Sequence, residues 1–178
     1  MKKIVITCGL IAGSISAAFM GIGIDFYLKH HFVTSQLIGY TSMILSCSLI
    51  FVGIKMFRDK HNGGVVSFGK AFLIGLYISL VASTLCVIVW ALEYKFIFPD
   101  FLENYSAITI AKAKAAGDTP EQIASQIKQL ATYRDWYQNP ILFTLIIYAQ
   151  YLPGGLIISL IAAWILKKGK AVDVELQN

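Results

Sequence analysis

Four stretches of this chain contain no Asp, Glu, Lys or Arg: Ile4–Ile24, Phe32–Ile54, Ala71–Leu92 and Ile141–Leu166. They are 21, 23, 22 and 26 residues long, 92 of the 178 residues. At about 1.5 Å per residue the shortest reaches roughly 32 Å as a helix, enough to cross a hydrocarbon core of about 30 Å. In lipid every unpaired backbone amide costs several kcal/mol, so a lone apolar segment satisfies its own hydrogen bonds only as a helix. Val and Ile are common in these stretches, but the period-two alternation of a membrane barrel is absent. The sequence therefore predicts an all-α polytopic membrane protein. Its four transmembrane helices are placed at 4–27, 32–56, 68–95 and 139–167, in a single membrane domain with a tail at 168–178.

Composition supports that class. Hydrophobic residues make up 57% and charged residues 14% of the chain, against about 45–50% and 25% in soluble domains. A soluble enzyme, a disordered chain and a nucleic-acid-binding domain are thereby disfavoured. The first stretch has a rival reading. Lys2 and Lys3, an apolar Ile4–Leu10 and the small residues Ser14, Ser16, Ala17 and Ala18 resemble a signal peptide. An uncleaved helix is the preferred expectation, because the apolar run continues to Asp25.

Charge asymmetry orients the spans. Four crossings put the amino terminus, the 55–70 loop and the carboxyl tail on one side. That side holds Lys2, Lys3, Lys55, Arg58, Lys60, Lys70, Lys167, Lys168 and Lys170 against Asp59, Asp173 and Glu175. Lys and Arg gather on the cytoplasmic side, so both termini are expected there. The net charge of +5 is then a topology signal, and anionic lipid headgroups are its natural partner. No basic patch with interleaved aromatics points to nucleic acid.

Cys8, Cys47 and Cys86 fall one in each of the first three stretches, and none forms a Cys-x-x-Cys pair. They read as small apolar residues rather than a disulfide framework. His30, His31 and His61 lie in loops on opposite sides, too dispersed for the three or four ligands of a metal site. No metal or cofactor is expected.

Small residues recur at a spacing of four. Gly9, Gly13, Ala17 and Gly21 form such a stripe in the first helix, Ala71, Gly75, Ser79 and Ser83 in the third, and Gly155, Ser159 and Ala163 in the fourth. The second carries a looser set, Gly39, Ser42, Ser46 and Gly53. Spacing by four keeps residues on one face, and small side chains let backbones approach where no hydrophobic effect drives helices together. These stripes predict seams of a compact bundle. The alternative for the first stripe is a homo-oligomer contact.

The segment from Glu93 to Pro140 is too long for a bare loop. It reads as a helical hairpin over 100–137, extracytoplasmic by the charge count. Its first helix should present Ile108, Ala111 and Ala115 on one side and stop at Gly117. Thr119-Pro120-Glu121-Gln122 is a start signal: Thr119 caps, Pro120 fits the first turn and Gln122 completes a capping box. Ile123, Ile127 and Leu130 should form the apolar stripe of the second helix. Trp136 and Tyr137, and Trp90, Tyr94 and Phe98, suit an interfacial aromatic belt.

Few residues suggest chemistry. Asp25, Glu93 and Lys95 at the outer ends of two spans could form a gate or ion cluster, or simply headgroup-level charge. Tyr148, Gln150 and Tyr151 precede Pro153-Gly154-Gly155 near the middle of the fourth span. Pro153 removes an amide, so a kink or break is expected there. Broken helices at mid-membrane build substrate sites in transporters; a plain packing kink, with Gln150 bonded to a neighbouring helix, is the simpler alternative. No Gly-x-Ser-x-Gly, His-Glu-x-x-His, Walker or dinucleotide pattern is present.

The order of features is itself informative. A Lys-rich start precedes a Gly/Ala-rich first helix and then Gly63-Gly64-Val65-Val66-Ser67-Phe68-Gly69-Lys70-Ala71-Phe72. A Phe98-Pro99-Asp100-Phe101 step into an acidic helical segment and a final helix follow. This order resembles the DUF4199 family of four-helix bacterial membrane proteins. The resemblance implies a cytoplasmic (inner) membrane location and transfers no activity and no site residue. The expectation is a non-enzymatic structural, interaction or accessory subunit, with a protein partner or second copy beside the lipid bilayer. The alternative is a small transporter or channel component using the fourth helix.

Overall fold

A computed structural model describes residues 1–169. Among these, six helices follow one another: α1 (Lys2–Leu28), α2 (Phe32–His61), α3 (Phe68–Phe96), α4 (Phe101–Ala116), α5 (Pro120–Gln138) and α6 (Pro140–Leu166). α1, α2, α3 and α6 are each long and apolar enough to cross a membrane. They run antiparallel in sequence order, so the bundle has two unlike ends. The tail end gathers the start of α1, the α2–α3 turn and the exit of α6; the hairpin end carries α4 and α5. Most of the 168–178 tail lies outside the described residues.

The small-residue stripes are the seams. A side chain at Gly9 would strike the Val81 side chain, 2.6 Å from its Cβ, and one at Gly13 would meet the Ala82 carbonyl and Leu85 Cβ at 3.0 Å. The α1 stripe is thus occupied by α3 and is not available to a second copy of the chain. The α3–α6 seam is reciprocal. Gly75 accepts Ser159 and Gly155 accepts Ser79, with Ser side-chain atoms 2.5–2.9 Å from where a glycine Cβ would stand. Both serines also donate to the carbonyl four residues back, Ser79 to Gly75 and Ser159 to Gly155, so the hydroxyls are satisfied within their own helices. Between α1 and α2, Ser16 and Ser46 share a hydrogen bond of 2.7 Å and Ser35 donates to the Gly23 carbonyl. Such bonds between apolar helices are worth about 0.6 kcal/mol on average.

The tail end is densely packed. Ile54, Ile74, Ile78, Ala71, Ala162 and Ala163 are fully buried there. Gly63 and Gly64 turn the chain with φ of +60° and +79°, a conformation glycine adopts without a Cβ penalty. Val66 then pairs with Lys168 in an antiparallel bridge, with both N–H···O bonds at 2.9 Å. This single bridge ties the exit of α6 to the entry of α3. It was not expected from the sequence.

At the hairpin end, Gly117 closes α4 with φ +82°; its N–H donates to the Lys114 carbonyl and that of Asp118 to the Ala113 carbonyl. Thr119 and Gln122 form the complete capping box, and Pro120 opens α5. The apolar stripes differ from expectation. α4 buries Ile108 and Ala113, not Ala111 and Ala115. In α5 the half-buried positions are Ile123, Gln126, Leu130 and Tyr137, while Ile127 is exposed. A 3.6-residue helix lets either choice complete a stripe, and Gln126 turns inward because its amide donates to the Asp118 carboxylate at 3.0 Å. α5 fully buries no residue, so the hairpin is a light lid.

Candidate lateral cavity and its mouth

α2 and α6 touch near the tail end, where Ile50 and Ile54 join Ala162 and Ala163 in one cluster. Toward the hairpin end they part and leave a cavity of about 620 Å³. Its back wall comes from α1 and α3, through buried Ala12, Ser16, Ser79, Ser83 and Cys86. Its rim is Gly39 and Met43 of α2 facing Gln150, Gly154 and Ile157 of α6, all exposed. A buried back and an exposed rim mean that the cavity opens sideways between α2 and α6. Phe101 and Tyr105 of α4 and Tyr27 of α1 form its roof, and Ile50 and Ile78 its floor. Volumes of about 300–1,000 Å³ are those of small-molecule sites.

The lining is apolar with sparse polar groups: serine hydroxyls, two thiols, three tyrosines and the Gln150 amide. It contains no carboxylate, imidazole or cationic side chain. Gly39, expected in the looser packing stripe of α2, and Gly154, expected in the kink of α6, both have no neighbouring atom within 4 Å of their Cβ positions. They face open space, whereas Gly155, one residue on, is half-buried against Ser79 in the α3 seam.

The predicted site residues fall apart into separate roles. Asp25 pairs with Lys29 at 2.7 Å on the surface, both side chains about half exposed or more. Glu93 turns inward instead. Its carboxylate rests where a Gly21 side chain would stand, Oε1 2.6 Å from that Cβ position, and Oε2 is shielded without a hydrogen-bond partner. Gly21 therefore makes room for Glu93. Lys95 lies over the Phe96 ring. The three do not form one mouth cluster, and no group of three or more His, Cys, Asp or Glu comes together among the described residues. α6 continues as helix through Pro153, so the broken-helix reading does not hold. Gln150 lines the cavity; polar contacts from α6 to its neighbours include Tyr148 with Thr84 at 2.6 Å, Tyr151 with Met20 Sδ at 3.3 Å and the Leu166 carbonyl, which accepts from Arg58 at 3.4 Å.

Above the roof lies a smaller recess lined by Tyr27, Tyr105, Thr109, Lys112 and Gln126. Tyr27 and Tyr105 stack at 5.6 Å between centroids and belong to both spaces. Burial pushes the Tyr105 hydroxyl up from its ordinary range, so it stays a neutral donor. The Lys112 ammonium sits 3.2 Å from the Phe32 ring centroid and 4.8 Å from that of Tyr27. Sequence reading missed Lys112. Its signal was faint: one lysine among five cationic residues in the segment.

No curated protein and no solved structure matches the chain. The family model described as "Protein of unknown function (DUF4199)" matches residues 7–168, from the first turns of α1 to the Val66–Lys168 bridge. By that near-complete match the chain belongs to the DUF4199 family.

Proposed function

We propose that this is a non-catalytic integral protein of the bacterial cytoplasmic membrane that works by binding, as an interaction or accessory subunit. Its termini face the cytoplasm, α4 and α5 lie outside, and its working surface is the lateral cavity. The supporting observation is where that cavity opens: between two apolar helices, toward lipid rather than toward either water phase. Walls offering hydroxyls, thiols and one amide suit recognition of an apolar molecule better than acid–base chemistry. The transporter reading gains from the cavity's reach to Gln150. It is disfavoured by the floor, where Ile50, Ile54, Ile74 and Ile78 are 0–4% exposed and close the way to the tail end.

Cysteine labelling tests the orientation. Asp118→Cys should react with an impermeant maleimide in intact cells, and Lys60→Cys only after permeabilisation. The native cysteines are buried or half-buried and give a low background. The reverse pattern would refute the orientation. Uptake or release of a solute by proteoliposomes at rates above empty vesicles would replace binding by transport.

A further inference from the structure

The cavity and the recess adjoin at Tyr27 and Tyr105, which line both. α2 lines the cavity from Ser35 to Ile50, about 22 Å at 1.5 Å per residue, which exceeds one leaflet of a hydrocarbon core about 30 Å thick. Its walls are apolar and its slot is lateral, so a molecule enters from the bilayer without crossing water. Directly beyond the Tyr27–Tyr105 pair stands Lys112. Among the described residues it makes no ion pair; only the two aromatic faces hold it. Ring faces position an ammonium but leave N–H groups unspent. Of the other polar groups at the recess, Thr109 donates to the Tyr105 carbonyl and Gln126 to Asp118. Lys112 is thus the one cation lining the recess, on the hairpin side of the Tyr27–Tyr105 pair.

We propose that the lateral cavity and Lys112 form one site for a single membrane lipid with an anionic headgroup. Its acyl chain lies between α2 and α6, and its phosphate lies against Lys112 beyond the Tyr27–Tyr105 pair. This rests on reading the four long helices as spans with α4 and α5 outside, so the lipid comes from the outer leaflet. The chain is recognised by shape and the headgroup by charge. Neither element alone would distinguish this lipid from the surrounding bilayer.

The test uses the full chain in nanodiscs of equal phosphatidylglycerol and phosphatidylcholine, extracted into detergent and examined by native mass spectrometry. The wild type should retain one phosphatidylglycerol in preference to phosphatidylcholine. The double variant Gly39→Leu/Gly154→Leu fills the open rim where no atom lies within 4 Å of either Cβ position. It should lose the retained lipid while unfolding no more easily than the wild type. Lys112→Gln should keep a lipid but lower the phosphatidylglycerol preference about fivefold, the weight of one near-surface cation. Lys128→Gln on exposed α5 should leave it unchanged. Retention insensitive to the filled rim would mean annular lipid and overturn the site. Equal retention of both lipids by the wild type would overturn the headgroup assignment. A dimer that vanishes on filling the rim would assign the slot to a second copy. Maleimide labelling of the same variants separates the cases: reversed labelling defeats the orientation, whereas correct labelling with no selective lipid defeats only this site.

Discussion

The two ends of the bundle obey different rules. At the tail end, four helices converge on isoleucines and alanines that are essentially inaccessible, and a backbone bridge fastens the exit of α6. At the hairpin end α2 and α6 part, while α1 keeps its contacts with α2 and α3 and α3 keeps its contacts with α6. Aromatic rings there (Trp90, Tyr94, Phe98, Phe101, Tyr137 and Phe143) make a satellite cluster, and a light pair of helices covers an open slot. One chain thus combines a packed anchor with an open mouth. Close approach joins α1 to both α2 and α3 and α3 to α6, while α2 meets α6 only where both are needed to seal the floor.

The contrast is sharpest for matched truncations at the two ends. Ile74 is fully buried in the anchor, whereas Met43 on the rim is 57% exposed. Ile74→Ala should cost about 2–5 kcal/mol of unfolding free energy in mixed micelles, and Met43→Ala less than about 0.5 kcal/mol. Equal costs would mean that the mouth is closed by packing around Met43. A finer probe uses two neighbouring glycines. Gly155→Ala places a methyl 2.5 Å from Ser79 Oγ and should destabilise by about 1–3 kcal/mol. Gly154→Ala meets nothing within 4 Å and should stabilise by up to about 1 kcal/mol, the helix preference of alanine over glycine. If the two behaved alike, the reciprocal α3–α6 seam would be wrong. The smallest effect is local. Thr119→Ala removes the cap of α5 and should cost about 1 kcal/mol. Because α5 fully buries no side chain, the loss should appear as faster amide exchange in 120–138 with an unchanged midpoint for the bundle.

Much of the anchor was legible in the sequence because lipid leaves few options. Charge-free runs of 21 residues or more must be helices, and small residues every four positions must be seams. The capping box at Thr119 and the stop at Gly117 were equally readable, since each depends on side chains within one turn. The mouth was not legible. Gly39 and Gly154 carry the same letter as Gly9 and Gly75, and only the divergence of α2 from α6 decides which glycines touch a neighbour. The inward turn of Glu93 was hidden for the same reason: it depends on Gly21 standing opposite on another helix. The stripes assigned to α4 and α5 slipped because short amphipathic helices with many alanines offer several equivalent faces, and Gln126 was drawn inward by Asp118 rather than by hydrophobicity.

The Val66–Lys168 bridge has a practical corollary for anyone attaching a reporter to this protein. Splicing a fluorescent or enzymatic partner immediately after Leu166 deletes the strand partner of Val66 and unfastens the anchor, so dim or degraded fusions would say nothing about sidedness. A junction placed beyond Gly169 keeps that fastening whole and lets the reporter speak for the topology alone.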